Sequence, residues 1–302
     1  MSSEILLKNE FGTIELFALS DEIKALRFIH NKGEGSVSLY GGQVLTWQPK
    51  GQQPVFWLSK DSKYSTTAAI RGGIPICWPW FGGEVKAVEG NIEKVSNHGF
   101  ARQSQWHLDD IEISQSQVII TLSLSGKHFS KHWPATFKLS QKLVFSEQFE
   151  QTLTMTNLSG QPVVYTGALH SYFCISSPEK SNIPLLESIK FDDKLSGEKG
   201  TLANLNNCVG PVDRIYHDSQ NQTIIDDGWQ REINVSSINC HKWVMWNPGQ
   251  ATESMADMHQ GSESEFVCLE AANTDWQTIA SQASVSISQK VTISQKVTIK
   301  NL

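Results

Sequence analysis

Two apolar runs in this chain each enclose an ionisable side chain, His170 in one and Glu270 in the other, that strand geometry would aim away from water. The first is VVYTGALHSYFCI, residues 163–175. Successive side chains of a strand alternate between faces. Val163, Tyr165, Leu169, Phe173 and Ile175 then share one face, and Thr166, Ala168, His170, Tyr172 and Cys174 share the other. The second face mixes small, polar and aromatic groups, which suits a ligand better than a core. The second run is EFVCLEAAN, 265–273, with Val267, Leu269 and Ala271 on one face and Phe266, Cys268, Glu270 and Ala272 on the other. Burying a glutamate is costly unless it has a partner or a purpose. Taken singly, His170 could be a core histidine bonded to a carbonyl, and Glu270 half of a structural ion pair. Facing one cavity, a carboxylate and an imidazole can work as a base and an acid. Opposite charges within reach favour both ionised forms, so the expectation is a lowered carboxyl pKa and a raised imidazole one.

A third segment, RGGIPICWPWFGG at 71–83, holds Arg71, two glycine pairs, two prolines and two tryptophans. That spacing of Gly and Pro excludes a helix or a central strand. It predicts a rigid loop in which Arg71 is a forked donor and the glycines bring backbone close to a ligand. Trp78, Trp80 and Phe81 would face that ligand or pack the loop. NHGFAR, 97–102, adds Asn97, His98 and Arg102 around a turn, and VDRIY, 212–216, offers Asp213. Asp257, in the MADM that follows WNP, either lines a pocket or caps a turn. His128 and His132 are four apart in HFSKH, but the glutamate of a hydrolytic HExxH is absent, so a surface turn is expected. No cluster has metal-ligand spacing, and neither metal nor cofactor is expected.

The elements that must hold these residues are strands. VIITLSLSG (118–126), FKLSQKLVF (137–145) and FEQTLTMTNLSG (149–160) are short, rich in β-branched residues and bounded by turn formers. From Val285 to Ile299 the alternation is cleanest, with Val285, Ile287, Val291, Ile293, Val297 and Ile299 on one side of a half-buried strand. The tandem SQKVTI there suits a period of two and makes no repeat protein. Helical periodicity is scarce; 127–134 predicts one helical turn before Pro134, and 186–195 is ambiguous. With many strands and no Gly, Ser or Pro linker, the reading is an all-β chain, 1–302, folded as one large antiparallel β-sandwich domain. A net charge of -6 argues against a nucleic-acid partner. No apolar run is long enough to span a membrane, the start lacks a signal-peptide core, and five scattered cysteines suggest neither disulfides nor zinc. A cytoplasmic monomer is expected.

In their joint order, RGGIPICWPWFG, NHGFAR, ALHSYF, DRIY, WNP with MADM, and CLEAAN resemble the hexose-6-phosphate branch of the aldose 1-epimerase (mutarotase) family. The resemblance runs from about residue 35 to the C-terminal strand. It implies a galactose-mutarotase-like β-sandwich (a supersandwich) that interconverts the α and β anomers of D-hexose 6-phosphates, chiefly glucose 6-phosphate. It also implies that His170 is the catalytic acid and Glu270 the catalytic base. Arg71 and Arg102 match phosphate-binding arginines, and Asp213 a substrate-site acid. Asn97 and His98 stand where relatives often have Gln-His, the asparagine one methylene shorter. The partner implied is a small sugar phosphate, with no cofactor. Three rivals remain: a mutarotase for neutral aldoses, a non-catalytic carbohydrate-binding sandwich, and a retaining glycosidase. The arginine pair speaks against the first, and the glycosidase would need two facing carboxylates where one is found.

Overall fold

A computed structural model describes residues 3–86, 90–202 and 205–295. Three large sheets organise them. The first is a five-stranded meander of Glu4–Asn9, Gly12–Ala18, Lys24–His30, Gly33–Ser38 and Val44–Pro49. The second has eight strands, in the order Ser181–Asn182, Gln222–Asp226, Arg231–Ile238, Ser284–Gln295, Gln148–Asn157, Phe137–Phe145, Val118–Gly126 and His107–Ile113. The third runs Phe191–Asp193, Val212–Tyr216, Lys242–Asn247, Phe266–Ile279, Val163–Leu169 and Ile76–Cys77, with Tyr172–Cys174 also pairing Phe266–Ile279. Neighbouring strands in all three are antiparallel. The chain is therefore an all-β antiparallel sandwich.

The alternation read in the sequence is what buries one face of the eight-stranded sheet. Val118, Ile120, Leu122 and Leu124 point inward, as do Phe137, Leu139, Leu143 and Phe145, while the intervening Ser, Thr and Lys side chains face outward. Inward aromatic residues join the sheets. Phe28 of the meander meets Phe145 at 4.6 Å between ring centroids, and Phe56 meets both Phe149 at 5.1 Å and Phe173 at 5.7 Å. In the third sheet, Phe266–Asn273 is buried on both faces. One face joins the core and the other floors a cavity.

Some elements differ from expectation. The last described strand ends at Gln295, so Val297 and Ile299 lie outside the described residues. Residues 127–134 form no helix; Ser130 bridges Trp133, whose indole packs on Trp78 at 4.7 Å, and tertiary packing sets the local shape. Residues 186–195 divide between a short 3-10 turn, Pro184–Ser188, and the strand Phe191–Asp193. Within 83–97 a small hairpin pairs Glu84–Lys86 with Ile92–Lys94. Among the described residues no helix is long and apolar enough to cross a membrane.

Candidate active site

The strand read as continuous over 163–175 breaks at His170. The amide of His170 donates to the carbonyl of Pro75 at 3.0 Å and that of Tyr172 to Gly73 at 2.9 Å. Both bonds leave the sheet for the Arg71 loop, and the strand resumes as Tyr172–Cys174. Glu270 sits in the middle of the adjacent strand, paired in register with Val244. Nε2 of His170 lies 3.4 Å from Oε1 of Glu270, and their side chains are 9% and 2% exposed. Nδ1 of His170 and Oε2 of Glu270 are buried with no hydrogen-bond partner. Buried polar atoms in native proteins are nearly always paired, so these two are atoms a ligand could satisfy. Tyr172 stacks on the His170 ring at 4.9 Å, and His98 meets it edge-on at 5.6 Å.

The charge states run opposite to the expectation from pairing. Burial, reinforced by His98, Arg102 and Arg71, holds the His170 imidazole well below its usual range. Burial, reinforced by Asp213, holds the Glu270 carboxyl well above the ordinary carboxylate range. Desolvation of two enclosed groups outweighs their attraction across 3.4 Å. Burial therefore disfavours the charged form of each group and shifts the balance of the pair away from imidazolium and carboxylate.

The cavity above the pair measures about 200 Å³, the scale of one small molecule. Its wall includes Arg71, Phe81, Asn97, His98, Tyr172, Lys194, Asp213 and Trp246. Arg71 is held on two sides: Nε donates to Asp257 at 3.0 Å and Nη1 to the Tyr172 hydroxyl at 3.0 Å. The glycines beside it do not face the ligand space. Gly72 and Gly73 have φ of 109° and 62°, and a Cβ on Gly73 would lie 2.0 Å from the carbonyl oxygen of Val44. They let the loop dock on protein backbone. Trp78 and Trp80 are buried and pack the loop, so only Phe81 of the three aromatics reaches the cavity.

His98 adopts φ of 69°, with its Nδ1 accepting from the Gly82 amide at 3.2 Å. Desolvation, with Arg102, Lys194 and Arg71 nearby, lowers its pKa to about 3, so it stays a neutral hydrogen-bonding group. Asp213 lies beside Trp246 in register, and burial raises its pKa. Arg102 is not among the lining residues; it sits in the short turn Ala101–Gln103, donating from Nη2 to the carbonyl of Asn97 at 2.9 Å. The fold therefore gathers His170, Glu270, Arg71, Asn97, His98 and Asp213 around one cavity, with Arg102 off its lining but bonded to the Asn97 turn.

Lys194 and Trp246 are lining residues that sequence reasoning assigned no role. Lys194 directs Nζ toward the Phe81 ring at 5.8 Å, and its positive charge acts on Asp213 and Glu270 across the cavity. Its backbone amide donates to the carbonyl of Asp213 at 2.9 Å, a sheet contact that no local pattern announces. Trp246 stood in the quoted WNP and could have been found there. Among the described residues no group of three His, Cys, Asp or Glu is placed to hold a metal, and His132 pairs with Glu93.

A small polar cavity in a β-sandwich, floored by a buried imidazole and carboxyl and ringed by hydrogen-bonding groups, defines an acid–base site for a hydroxylated ligand. Residues 24–294 match the family described as Aldose 1-epimerase, and the chain belongs to it. It is 32% identical over 269 residues to a Salmonella typhimurium protein named "Putative glucose-6-phosphate 1-epimerase", covering 87% of each chain. A crystal structure titled as a "putative mutarotase" from the same species superposes with a TM-score of 0.83 at 27% identity over 97% of each chain. A galactose mutarotase-like protein from Clostridium acetobutylicum shares the fold at 16% identity, with a TM-score of 0.74 over 95% of this chain and all of that one. The protein is an epimerase of the mutarotase type, acting on a sugar.

Proposed function

We propose that the protein interconverts the α and β anomers of hexose 6-phosphates, chiefly glucose 6-phosphate, with His170 as acid and Glu270 as base. The observation that carries this reading is a pair of cations, Arg71 and Lys194, on the wall of a cavity floored by the buried pair, in a chain of net charge -6. A neutral aldose needs no such positive lining; a phosphate dianion does. The same charge balance supports a small anionic substrate over nucleic acid, and we take the working unit to be a monomer.

Ring opening needs one proton moved at each of two oxygens. The C1 hydroxyl gives its proton to Glu270, the ring oxygen receives one from His170, and the bond between C1 and that oxygen breaks to leave an aldehyde. Rotation about C1–C2 and the reverse transfers close the ring on its other face. A C1 hydroxyl donating to Glu270 and a ring oxygen accepting from His170 favour moving the pair's single proton onto His170, so binding sets the roles. Asp213, His98 and Asn97 would hold ring hydroxyls. Arg102 keeps the Asn97 turn in place and adds positive potential.

The test is anomer exchange followed by NMR, above the spontaneous rate, on glucose 6-phosphate and on glucose. A higher kcat/KM for the phosphate supports the proposal. A preference for free glucose would make this a neutral-aldose mutarotase, and absence of exchange on either sugar would favour a binding module.

A further inference from the structure

Three glutamines break the apolar parity of the eight-stranded sheet. Gln141 lies between Leu139 and Leu143, Gln151 between Phe149 and Leu153, and Gln289 between Ile287 and Val291, all facing the core. Gln141 and Gln151 have no exposed surface and Gln289 is 1% exposed. An apolar residue would fit each place by pattern, and a buried amide is costly unless fully paired.

The pairing they find is a directed chain. The hydroxyl of Ser171 donates to Oε1 of Gln289 at 3.0 Å, Nε2 of Gln289 to Oε1 of Gln151 at 2.8 Å, and Nε2 of Gln151 to Oε1 of Gln141 at 2.6 Å. Nε2 of Gln141 then donates to the carbonyl of Gly42 at 2.6 Å. The next residue, Gln43, donates from Nε2 to the carbonyls on either side of Arg71, to Ile70 at 3.2 Å and Gly72 at 2.6 Å. The Arg71 loop in turn accepts from the amides of His170 and Tyr172. The hydrogen bonds therefore close a ring, from Ser171 through the far sheet to Gly42, across Gln43 to the Arg71 loop, and back to the strand break that presents His170.

We propose that Gln141, Gln151 and Gln289 are positioning residues, which fix the His170 break and the Arg71 loop relative to each other from behind the core. The Ser171 carbonyl accepts from the Leu269 amide at 3.1 Å, which ties the break to the neighbouring strand; its direction relative to the Arg71 loop depends on a second hold, through the Ser171 side chain. The chain supplies that hold with groups that each have one favourable orientation, since every amide in it donates one way.

The experiment compares Gln151→Leu, the triple change of Gln141, Gln151 and Gln289 to Met, and Ile224→Ala, a buried core control in the strand Gln222–Asp226 of the same sheet, which pairs with Ile233 and with none of the three glutamines. Gln151→Leu strands two amides and should lose stability along with activity. The triple variant removes all three side-chain amides and leaves the Ser171 hydroxyl and the Gly42 carbonyl unpaired, two groups as in Gln151→Leu. It should melt no lower than Gln151→Leu yet show kcat lowered by about 10- to 100-fold, the cost of misplacing reacting groups by an ångström or so. Ile224→Ala should melt lower with kcat kept. The imidazole nitrogen NMR shifts of His170 should move in the triple variant and not in the control. These outcomes do not depend on which sugar is the substrate. A triple variant with kcat within threefold of the parent, or a kcat loss that merely tracks melting temperature across all three variants, would overturn the proposal.

Discussion

Replacing Glu270 by Gln tests both the chemistry and the charge state of the site. Burial holds the Glu270 carboxyl well above the ordinary carboxylate range, so the amide is a near-isosteric mimic of the protonated form that burial favours. Folding stability should shift by no more than about 1 kcal/mol, the scale of one ordinary hydrogen bond. Turnover should behave differently, because an amide cannot take the proton of a C1 hydroxyl. Loss of one positioned proton transfer costs about 10²- to 10⁴-fold, or roughly 3 to 5 kcal/mol of barrier. His170, 3.4 Å away, keeps its place, so KM should change little. The assay is NMR exchange between anomers on saturating sugar, with spontaneous exchange subtracted, beside a thermal melt. Turnover within threefold of the parent would refute Glu270 as the base. A melting temperature raised by several degrees would refute the charge argument, since it would mean that the substitution had removed a buried carboxylate.

The remaining predictions concern pH, phosphate and metal. The working pair holds one proton, so activity should fall at low pH when His170 takes a second and at high pH when the pair loses its last. Because burial lowers the imidazole pKa and raises the carboxyl one, the plateau should extend below 6.5, and an acid limb at or above 6.5 would count against it; free glucose is the substrate to use, since a sugar phosphate titrates near pH 6 itself. Arg71→Ala and Lys194→Ala should each lower kcat/KM for glucose 6-phosphate by roughly ten- to a hundredfold, from the worth of one charged hydrogen bond, with glucose little affected; equal losses on the two sugars would show that they hold the fold or the ring. Lysine at 71 should rescue only part, as it keeps charge but loses the fork. Dialysis against a chelator should leave the exchange rate unchanged, because ring opening can proceed by proton transfer alone; a loss restored by one divalent ion would reopen His128 and His132.

What the sequence made legible follows from the range of each signal. Period-two alternation is local, so the strands at 118–126 and 137–145 could be read directly, and their number and close spacing implied a sandwich. The break at His170 could not be read, because its cause lies elsewhere: Pro75 and Gly73 capture amides that the sheet would otherwise use. The glycines after Arg71 were legible as a tight loop, but their reason, backbone of the meander strand within 2.0 Å of a Cβ on Gly73, belongs to the tertiary fold. Lys194 left no local mark at all. The parity breaks at Gln141, Gln151 and Gln289 were present in the sequence as polar residues in apolar register, a signal of the same kind that singled out Glu270.

The sign of the charge shifts marks the limit of reading residue types. Knowing that a carboxyl and an imidazole face each other gives their attraction, and attraction alone favours the ion pair. Whether that attraction wins depends on how much water both groups lose and which other charges surround them. Here Arg71 and Arg102 oppose the imidazolium and Asp213 opposes the carboxylate, and these residues come from three separate segments of chain. On the roles proposed for the pair, burial favours the proton on Glu270, and a sugar whose C1 hydroxyl donates to Glu270 and whose ring oxygen accepts from His170 would favour its transfer to His170.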